Sequence, residues 1–551
     1  MEQAESKIAA ARRPQRGHAS AWSPLREPLF RALWIASVAS NIGTWMHEAG
    51  AGWLMTSLTT SPLLVALMQT ATSLPVFLLG LPAGALADVV DRRRMLLFTQ
   101  GWMLSAAGML GLLTLLDMTT PWVLLVLTLA LGAGAAMNAP AWQATAPELV
   151  PRAELPKAVA LNGIGLNLAR AVGPALGGAI VAAAGAGAVF LLNAVSFLSV
   201  MAVLSQWRWS PRAGKAPTEP VLSAIRAGIR YARHAPALRA VLVRTGLFVL
   251  FASALWALLP VLARHEMGLG STAYGILFGC LGAGAVAGAV ILPWLRRRLS
   301  MDALSIAAIV LFAAVTLALA QVRQFGFLCV VLWAGGVAWI ALMASFNIAT
   351  QTAVPSWVRA RALALYLLMF QGSMAFGGVL WGTVAQHAGM TVALWCAAAG
   401  LVAGLALAPR YRLNHGEELD LRPSSHWPEP NVLIEPDPED GPVLVTVEYR
   451  IDPEHARNFA LAVQAVRRQR LRDGAFRSGL FRDPSDPGRY IETFVVESWA
   501  EHMRQHERVT VNDRIAEDRA NAFHRGDQPP VTSHYIYAHT SESDHSETTE
   551  R

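Results

Sequence analysis

From about Leu29 to Ala408 the chain is a train of long apolar runs separated by short polar stretches, and beyond Ala408 it becomes ordinary and polar. A helix that crosses about 30 Å of hydrocarbon needs roughly 20 apolar residues. Twelve runs meet that length: 29–57, 62–88, 93–116, 121–148, 156–183, 186–207, 237–264, 270–295, 301–321, 325–353, 357–386 and 390–408. Several exceed what the hydrocarbon requires, so tilt or protrusion is expected. The pattern predicts an all-α membrane bundle of twelve transmembrane helices in two six-helix halves, 29–208 and 237–408. A leader (1–28) precedes them and a basic loop (209–236) joins them.

After a linker rich in proline and acids, 409–441, the periodicity changes. "VLVTVEYRI" alternates as a strand does, and "DPEHARNFALAVQAVRRQRLRDG" has helical spacing through Phe459, Val463 and Val466 and stops at Gly474. Two strands around a Pro-Gly turn, a long polar helix and a last strand complete a β-α-β-β-α-β order over 442–540. This predicts a small α+β ferredoxin-like soluble domain, with 541–551 expected to be a disordered tail.

Composition agrees with a membrane solvent. Hydrophobic residues make up 54% and charged residues 15%, well below the roughly one quarter charged of a soluble protein. The net charge of +7 does not point to nucleic acid, because the arginines gather at the ends of apolar runs. Alternate loops carry Arg92, Arg93 and Arg94; Arg152 and Lys157; Arg208 through Arg233; Arg296, Arg297 and Arg298; and Arg359 with Arg361. The loops between hold little beyond Arg264 and Arg323. The excess of positive charge on cytoplasmic loops then predicts both termini in the cytoplasm of a bacterial cell, with the bundle in the inner membrane. The leader lacks the apolar core of a secretory signal. Cys280, Cys329 and Cys396 lie inside apolar runs without metal-type spacing, so neither a disulfide framework, a metal nor a cofactor is expected.

The halves repeat one another. Gly84 and Gly288, and Arg92 and Arg296, lie 204 positions apart, as do "VPRAELPKAVAL" and "VPSWVRARALAL". The second pair of segments matches Lys157 with Arg361. Two like-oriented six-helix halves describe a secondary transporter with a midplane site between them.

The loop after the second run resembles the signature of the major facilitator superfamily, G-x-x-x-D-R-x-G-R-[RK]. Gly84, Asp88, Arg92 and Arg93 fit it, while Val89 and Asp91 depart from it. The D-R-R-R variant is similar to the enterobactin-exporter-like branch, the transmembrane secretion effectors, over residues of about 25 to 410. The resemblance implies that Asp88 and Arg92 lock the halves on the cytoplasmic side when the carrier faces outward. "RAVGPALGG" resembles the antiporter element G-x-x-x-G-P-x-x-G-G through Gly173, Pro174, Gly177 and Gly178, with Ala169 in place of its first glycine. Export is the direction this implies. The tail's strand order resembles half of a dimeric α/β barrel of the small antibiotic-monooxygenase type, which implies a homodimer through that domain.

Glu48 and Arg170 are the most informative charges at membrane depth, since an ionised group there should face a partner or a wet cavity. They are expected to form a pair with lipid around the bundle, either one in which Glu48 gains and loses a proton while Arg170 tunes it or contacts an anionic group on the substrate, or a purely structural salt bridge. Asn138, Asn167, Gln69 and Gln371 are candidate pathway amides, with Asn167 matched to Gln371 by the repeat. Trp45, Trp53, Trp142, Trp256 and Trp333 are candidate aromatic walls. His47 reads as a packing residue, and His502 with His506, four apart on a helix, as solvated histidines in preference to a metal pair. The expected function is proton-coupled export of small, partly hydrophobic molecules such as siderophores or drugs. The alternative is a membrane-tethered protein whose tail is a monooxygenase-like enzyme or a regulatory binding module.

Overall fold

The computed structural model describes residues 22–207, 221–413, 419–430 and 432–538, without the side chains of residues 88, 89, 146, 147 and 221–225. Most of the expected leader, the first part of the loop between the halves and the whole 541–551 tail lie outside the described residues.

The first half contains α1 (Pro28–Leu58), α2 (Pro62–Val89), α3 (Arg92–Leu115), α4 (Pro121–Leu149) and α5 (Leu155–Gln206). Proline opens α1, α2 and α4, where its missing N–H would have no helical partner in any case. Ser61 and Thr120 cap α2 and α4 through the amides of Leu64 and Val123. The second half comprises α7 (Pro236–Val261), α8 (Ser271–Arg296), α9 (Met301–Gln321), α10 (Phe325–Thr352), α11 (Arg359–Ala388) and α12 (Met390–Gly404). The expected loop at 209–236 holds a helix of its own, α6 (Val221–His234). Its apolar face carries the fully buried Tyr231, and its many arginines had made it read as a connector.

Among the described residues, ten helices are long and apolar enough to cross a membrane, against the twelve expected. Two features account for the difference. The 52-residue α5 is twice the length of a span and breaks at Gly185, whose φ of 80° lies in the left-handed region that a side chain would disfavour. The 31-residue α1 is not among the ten; it carries Arg31, His47 and Glu48.

The soluble part is a four-stranded antiparallel sheet in the order β2-β3-β1-β4, with β1 (Val443–Arg450), β2 (Arg477–Arg482), β3 (Arg489–Val496) and β4 (Val531–Ile536). Val443, Val445, Val447 and Tyr449 alternate onto the covered face, as a period of two requires. The helices are α13 (Ala456–Asp473), α14 (Trp499–Arg508) and α15 (Val511–Asn521). The single long helix expected after β3 is thus two helices. Thr510 and Asp513 form a capping box that starts α15 afresh. The expected linker is not a bare tether. Ser424 donates its amide to the Val509 carbonyl at 3.0 Å, and His426 and Trp427 reach Glu517 at 2.8 and 2.9 Å.

The soluble unit is seated on the second half. Arg230 of α6 bonds Glu501 of α14 at 3.2 Å. Tyr231 and Trp357 meet edge to face at 5.7 Å, and each lies under an arginine of the soluble unit, Arg472 over Tyr231 and Arg508 over Trp357.

Candidate functional site

The two halves meet along small-residue seams. At Gly178 a Cβ would lie 2.4 Å from the Ser271 carbonyl oxygen, at Gly275 2.6 Å from that of Pro174, and at Gly282 2.5 Å from that of Arg170. Backbone contact between α5 and α8 therefore depends on glycine. The antiporter-like element works on two sides: Pro174 and Gly178 face α8, whereas Gly173 and Gly177 admit Trp45 and Met46 of α1. On the other seam, Thr70 of α2 donates to the Ala375 carbonyl of α11 at 2.7 Å, and Phe77 packs on Phe376 and Gly372.

The seams are not uniform along the helices. At the end away from the triple arginines, Arg264 bonds Ser57 and lies 4.9 Å over Trp53, His265 bonds the Thr56 carbonyl at 3.2 Å, and Ser61 bonds Gln386 at 2.8 Å. At the basic end the first half bonds to itself. Arg92 pairs with Glu148 and also donates to the Ala144 carbonyl at 3.3 Å. Arg93 donates to the carbonyls of Leu204 and Ser205 at 2.9 and 2.7 Å, and Asp91 caps α3 through the amides of Arg93 and Arg94. Gly80 and Gly84 face open space. The side chain of Asp88 lies outside the described residues. The described bonds between the halves thus lie toward the end away from the triple arginines.

Between these ends α1, α5 and α8 converge. Trp45 stands edge-on to Phe278 of α8 at 6.1 Å, and the Arg170 guanidinium lies 5.1 Å over the Trp45 ring. Glu48, one turn beyond Trp45, is within electrostatic reach of Arg170 and of Tyr274. Glu48 and Arg170 form no direct ion pair among the described residues, and the Nε of Arg170 is buried without a partner. Trp53 stacks on Tyr274 at 5.7 Å. The result is a carboxylate and a guanidinium from the first half set against two aromatic rings from the second. A cation over an indole face gains attraction without surrendering its donors, so Arg170 retains hydrogen-bonding capacity for another group.

The other candidates scatter. Asn167 donates to the Gly163 carbonyl of its own helix at 2.9 Å, and Gln371, its match by the repeat, lies on α11. Asn138 accepts from Thr99 and Gln100 at 3.0 and 3.3 Å and ties α3 to α4. Gln69 bonds Ser73 within α2 at 2.9 Å. His47 is buried against Phe190, its ring nitrogens unpartnered. Trp256 packs with Phe312 and Trp339 inside the second half, Trp142 packs inside the first, and Trp333 is exposed.

Tyr274 and Phe278 escaped the sequence reading, although their spacing of four beside the Gly275, Gly279 and Gly282 stripe marks one helix face. Arg244 also escaped it. It is buried in α7 and paired with Asp302 of α9, which accepts in addition from the Leu413 amide at 3.0 Å.

A family model described as transmembrane secretion effector matches residues 19–542. The chain belongs to that family. The match runs on through the soluble unit, beyond the 25–410 that carries the sequence motifs. Relatives of this secretion effector include an uncharacterized transporter of the major facilitator superfamily from Bacillus subtilis, YfiS, 28% identical over 39% of this chain and 53% of its own length. The enterobactin exporter EntS of Shigella boydii is 27% identical over 48% of this chain and 62% of its own. The staphyloferrin A transporter of Staphylococcus aureus is 24% identical over 47% and 66%. The chain thus spans between about half and two thirds of the length of these relatives. Among solved structures, a bacterial homolog of the lysosomal transporter Spinster aligns over 71% of this chain and 98% of its own at a TM-score of 0.57 and 14% identity. A point mutant of the nucleoside transporter NupG aligns over 70% and 100% at 0.59 and 13%. The secretion effector is a multi-pass membrane protein of the major facilitator superfamily, with an enterobactin exporter and a staphyloferrin A transporter among its relatives.

In the soluble unit the histidines are not solvated, contrary to expectation. His502 is fully buried, its Nε2 is 3.3 Å from that of His506, and its ring lies 4.7 Å from that of His534. Among the described residues no group of three or more histidines, cysteines or acids is arranged to hold a metal. Burial, then the neighbouring His506 and His534, push His502 down to about 3, and burial with His534 and Arg470 pushes His506 down to about 4. Both are neutral near pH 7. A folded-state value below the unfolded value of about 6.5 means that the stabilisation is complete above pH 6.5 and lost as pH falls from there toward 3. For His502 the loss is on the order of 1 kcal/mol per pH unit. The urea midpoint of the full chain, read by a fluorophore on α14, is expected to fall between pH 7.5 and pH 5; equal midpoints contradict this account. Glu517 shows the opposite charge preference. Burial works against its ionised form, but Arg470 and hydrogen bonds from His426 and Trp427 hold it down at about 2.

Proposed function

We propose that this secretion effector is a proton-coupled exporter of small, partly apolar molecules of the siderophore class, working by alternating access. Twelve crossings follow when the long α5 is counted as two spans hinged at Gly185 and α1 is added to the ten. Both termini and the soluble unit then face the cytoplasm from the inner membrane, with the basic loops on the same side. The observation that carries this reading is the cluster between the halves, where Glu48, Arg170 and Trp45 of the first half face Tyr274 and Phe278 of the second, below described bonds that join the halves at the end away from the triple arginines. Substrate would enter from the cytoplasm against the aromatic wall, with Arg170 meeting an acidic group on it. Protonation of Glu48 would shift the balance between the inward and outward arrangements. The names of the relatives support a siderophore-like cargo. Efflux of a panel of catecholate and carboxylate siderophores from a host lacking its own pumps, with and without a proton gradient, tests the reading. Export of none of them, or export indifferent to the gradient, overturns it.

Alternation implies that the Gly178 contact opens and closes. A Gly178→Ala methyl would clash with the Ser271 carbonyl only in the present arrangement, costing it about 1–3 kcal/mol. The population is then expected to shift toward the opposite arrangement by a factor of about 5 to 150. Maleimide labelling of a Thr56→Cys probe, in a background without the three native cysteines, should accelerate accordingly. An unchanged rate counts against alternation at this seam.

The outer face of the soluble sheet supports a homodimer. Phe481, Val531 and Tyr535 are exposed there, beside Ile491 and Val495. An apolar sheet face of this kind calls for a cover. Phe481→Glu is expected to convert a dimer in detergent to a monomer by sedimentation; a wild-type chain that sediments as a monomer refutes the dimer.

A further inference from the structure

Two of the protein's three cysteines meet on a helix seam of the second half. α8 and α10 run side by side with their backbones in contact. A Cβ at Gly284 would run into the Trp333 carbonyl oxygen, and one at Gly288 would lie 2.9 Å from the Cα of Val337. Each of these pairs is 49 positions apart, as expected of two parallel helices held in one register. Cys280 and Cys329 are also 49 positions apart, and they stand one turn before Gly284 and Trp333 on the same helix faces. Their side chains lie within interaction range of each other. Glycine permits the close approach of the backbones, and that approach brings the two thiols within the span that a disulfide bridges.

Both cysteines are half-buried. Ile276, one turn before Cys280, and Trp333, one turn after Cys329, are exposed apolar residues. This edge of the seam therefore faces lipid, out of reach of water-soluble thiols such as glutathione, and the groups that can exchange electrons with it are lipid-soluble. Cys280 shares its helix with Tyr274 and Phe278, the aromatic residues that meet the first half.

We propose that Cys280 and Cys329 are a redox pair, oxidised to a disulfide by a quinone dissolved in the bilayer. Each thiol gives up its hydrogen, one S–S bond replaces two S–H bonds, and the quinone takes up two electrons and two protons to become a hydroquinone. The new bond braces α8 against α10 and so fixes the helix of Tyr274 and Phe278 within its own half. The proposal stands apart from the transport reading and needs neither a substrate nor a direction.

The full chain, reduced and then freed of reductant without air, is incubated in phosphatidylcholine nanodiscs with a short-chain benzoquinone whose ring is fully substituted, so that thiols cannot add to it. Thiols are counted after unfolding by the mass that a maleimide adds, and the linkage is located by mass spectrometry of unreduced digests. The count is expected to fall from three to one, with residues 280 and 329 in one linked peptide pair and Cys396, exposed on α12, still free. Reduction of the unfolded chain restores all three. The thermal unfolding midpoint rises on oxidation, because the bond closes a long loop and restricts the unfolded chain. Cys280→Ser and Cys329→Ser each keep their two remaining thiols through the treatment and show no rise. A count that stays at three overturns the proposal, as does a linkage through Cys396 or between two chains. An oxidised chain that melts with the reduced one overturns the brace.

Discussion

Glu48→Gln is expected to reduce pH-driven efflux to the level of protein-free vesicles, while substrate counterflow without a gradient persists. Glutamine keeps the size and much of the hydrogen bonding of the side chain but cannot change charge. Glu48 lies between the halves, within reach of the Arg170 charge and the Tyr274 hydroxyl. In the proposed cycle, ionised Glu48 compensates the positive charge of Arg170, whose guanidinium lies over Trp45. With Glu48 protonated, Arg170 must find another acceptor, which an acidic substrate can supply. A fixed neutral side chain leaves the carrier able to exchange substrate but unable to draw on the gradient. Gradient-driven efflux that survives in Glu48→Gln would place coupling elsewhere.

Asp302→Ala should destabilise the folded chain by about 3 kcal/mol, because it strands a buried guanidinium in α7. The cost is larger than for a surface pair, since the Arg244 side chain is only 5% exposed and has no water to replace its partner. Asp302 also holds the Leu413 amide, so the substitution loosens the point where the chain leaves the bundle. Thermal unfolding in detergent measures the effect. Replacing both partners with apolar residues, Arg244→Met with Asp302→Leu, is expected to recover much of the loss. A single mutant that melts with the wild type would show that the pair contributes nothing.

The residues whose position could be read from the chain are those whose role depends on near neighbours in sequence. The apolar runs announced the spans, and the strand alternation in 443–450 announced which face of the sheet is covered. Glu48 and Arg170 stood out as charges in apolar surroundings, and the structure puts both at the meeting of α1, α5 and α8. What escaped depends on contacts distant in sequence. Glu148 went unnoticed in the sequence because its partner, Arg92, lies 56 positions away. Arg244 went unnoticed likewise, because Asp302, its partner, lies 58 positions away. The repeat also overstated its symmetry. Gly84 faces open space, whereas Gly288 is pressed against Val337 and Ile340 of α10, so equivalent residues serve different packing in the two halves. His502 read as solvated because its helix is polar in composition. Its burial comes from α14 being covered on two sides, by the sheet and by the segment carrying His426 and Trp427.

The seat of the soluble unit has a mechanical corollary. Its described bonds and ring contacts to the membrane part, through Arg230, Tyr231 and Trp357, all fall on the α6 and α10–α11 side. A rotation of that side by a few degrees would therefore swing the whole unit as a pointer swings on its pivot. A dye on the rim of the unit, paired with one near Arg94, would convert a small tilt inside the bilayer into a large change of distance in water.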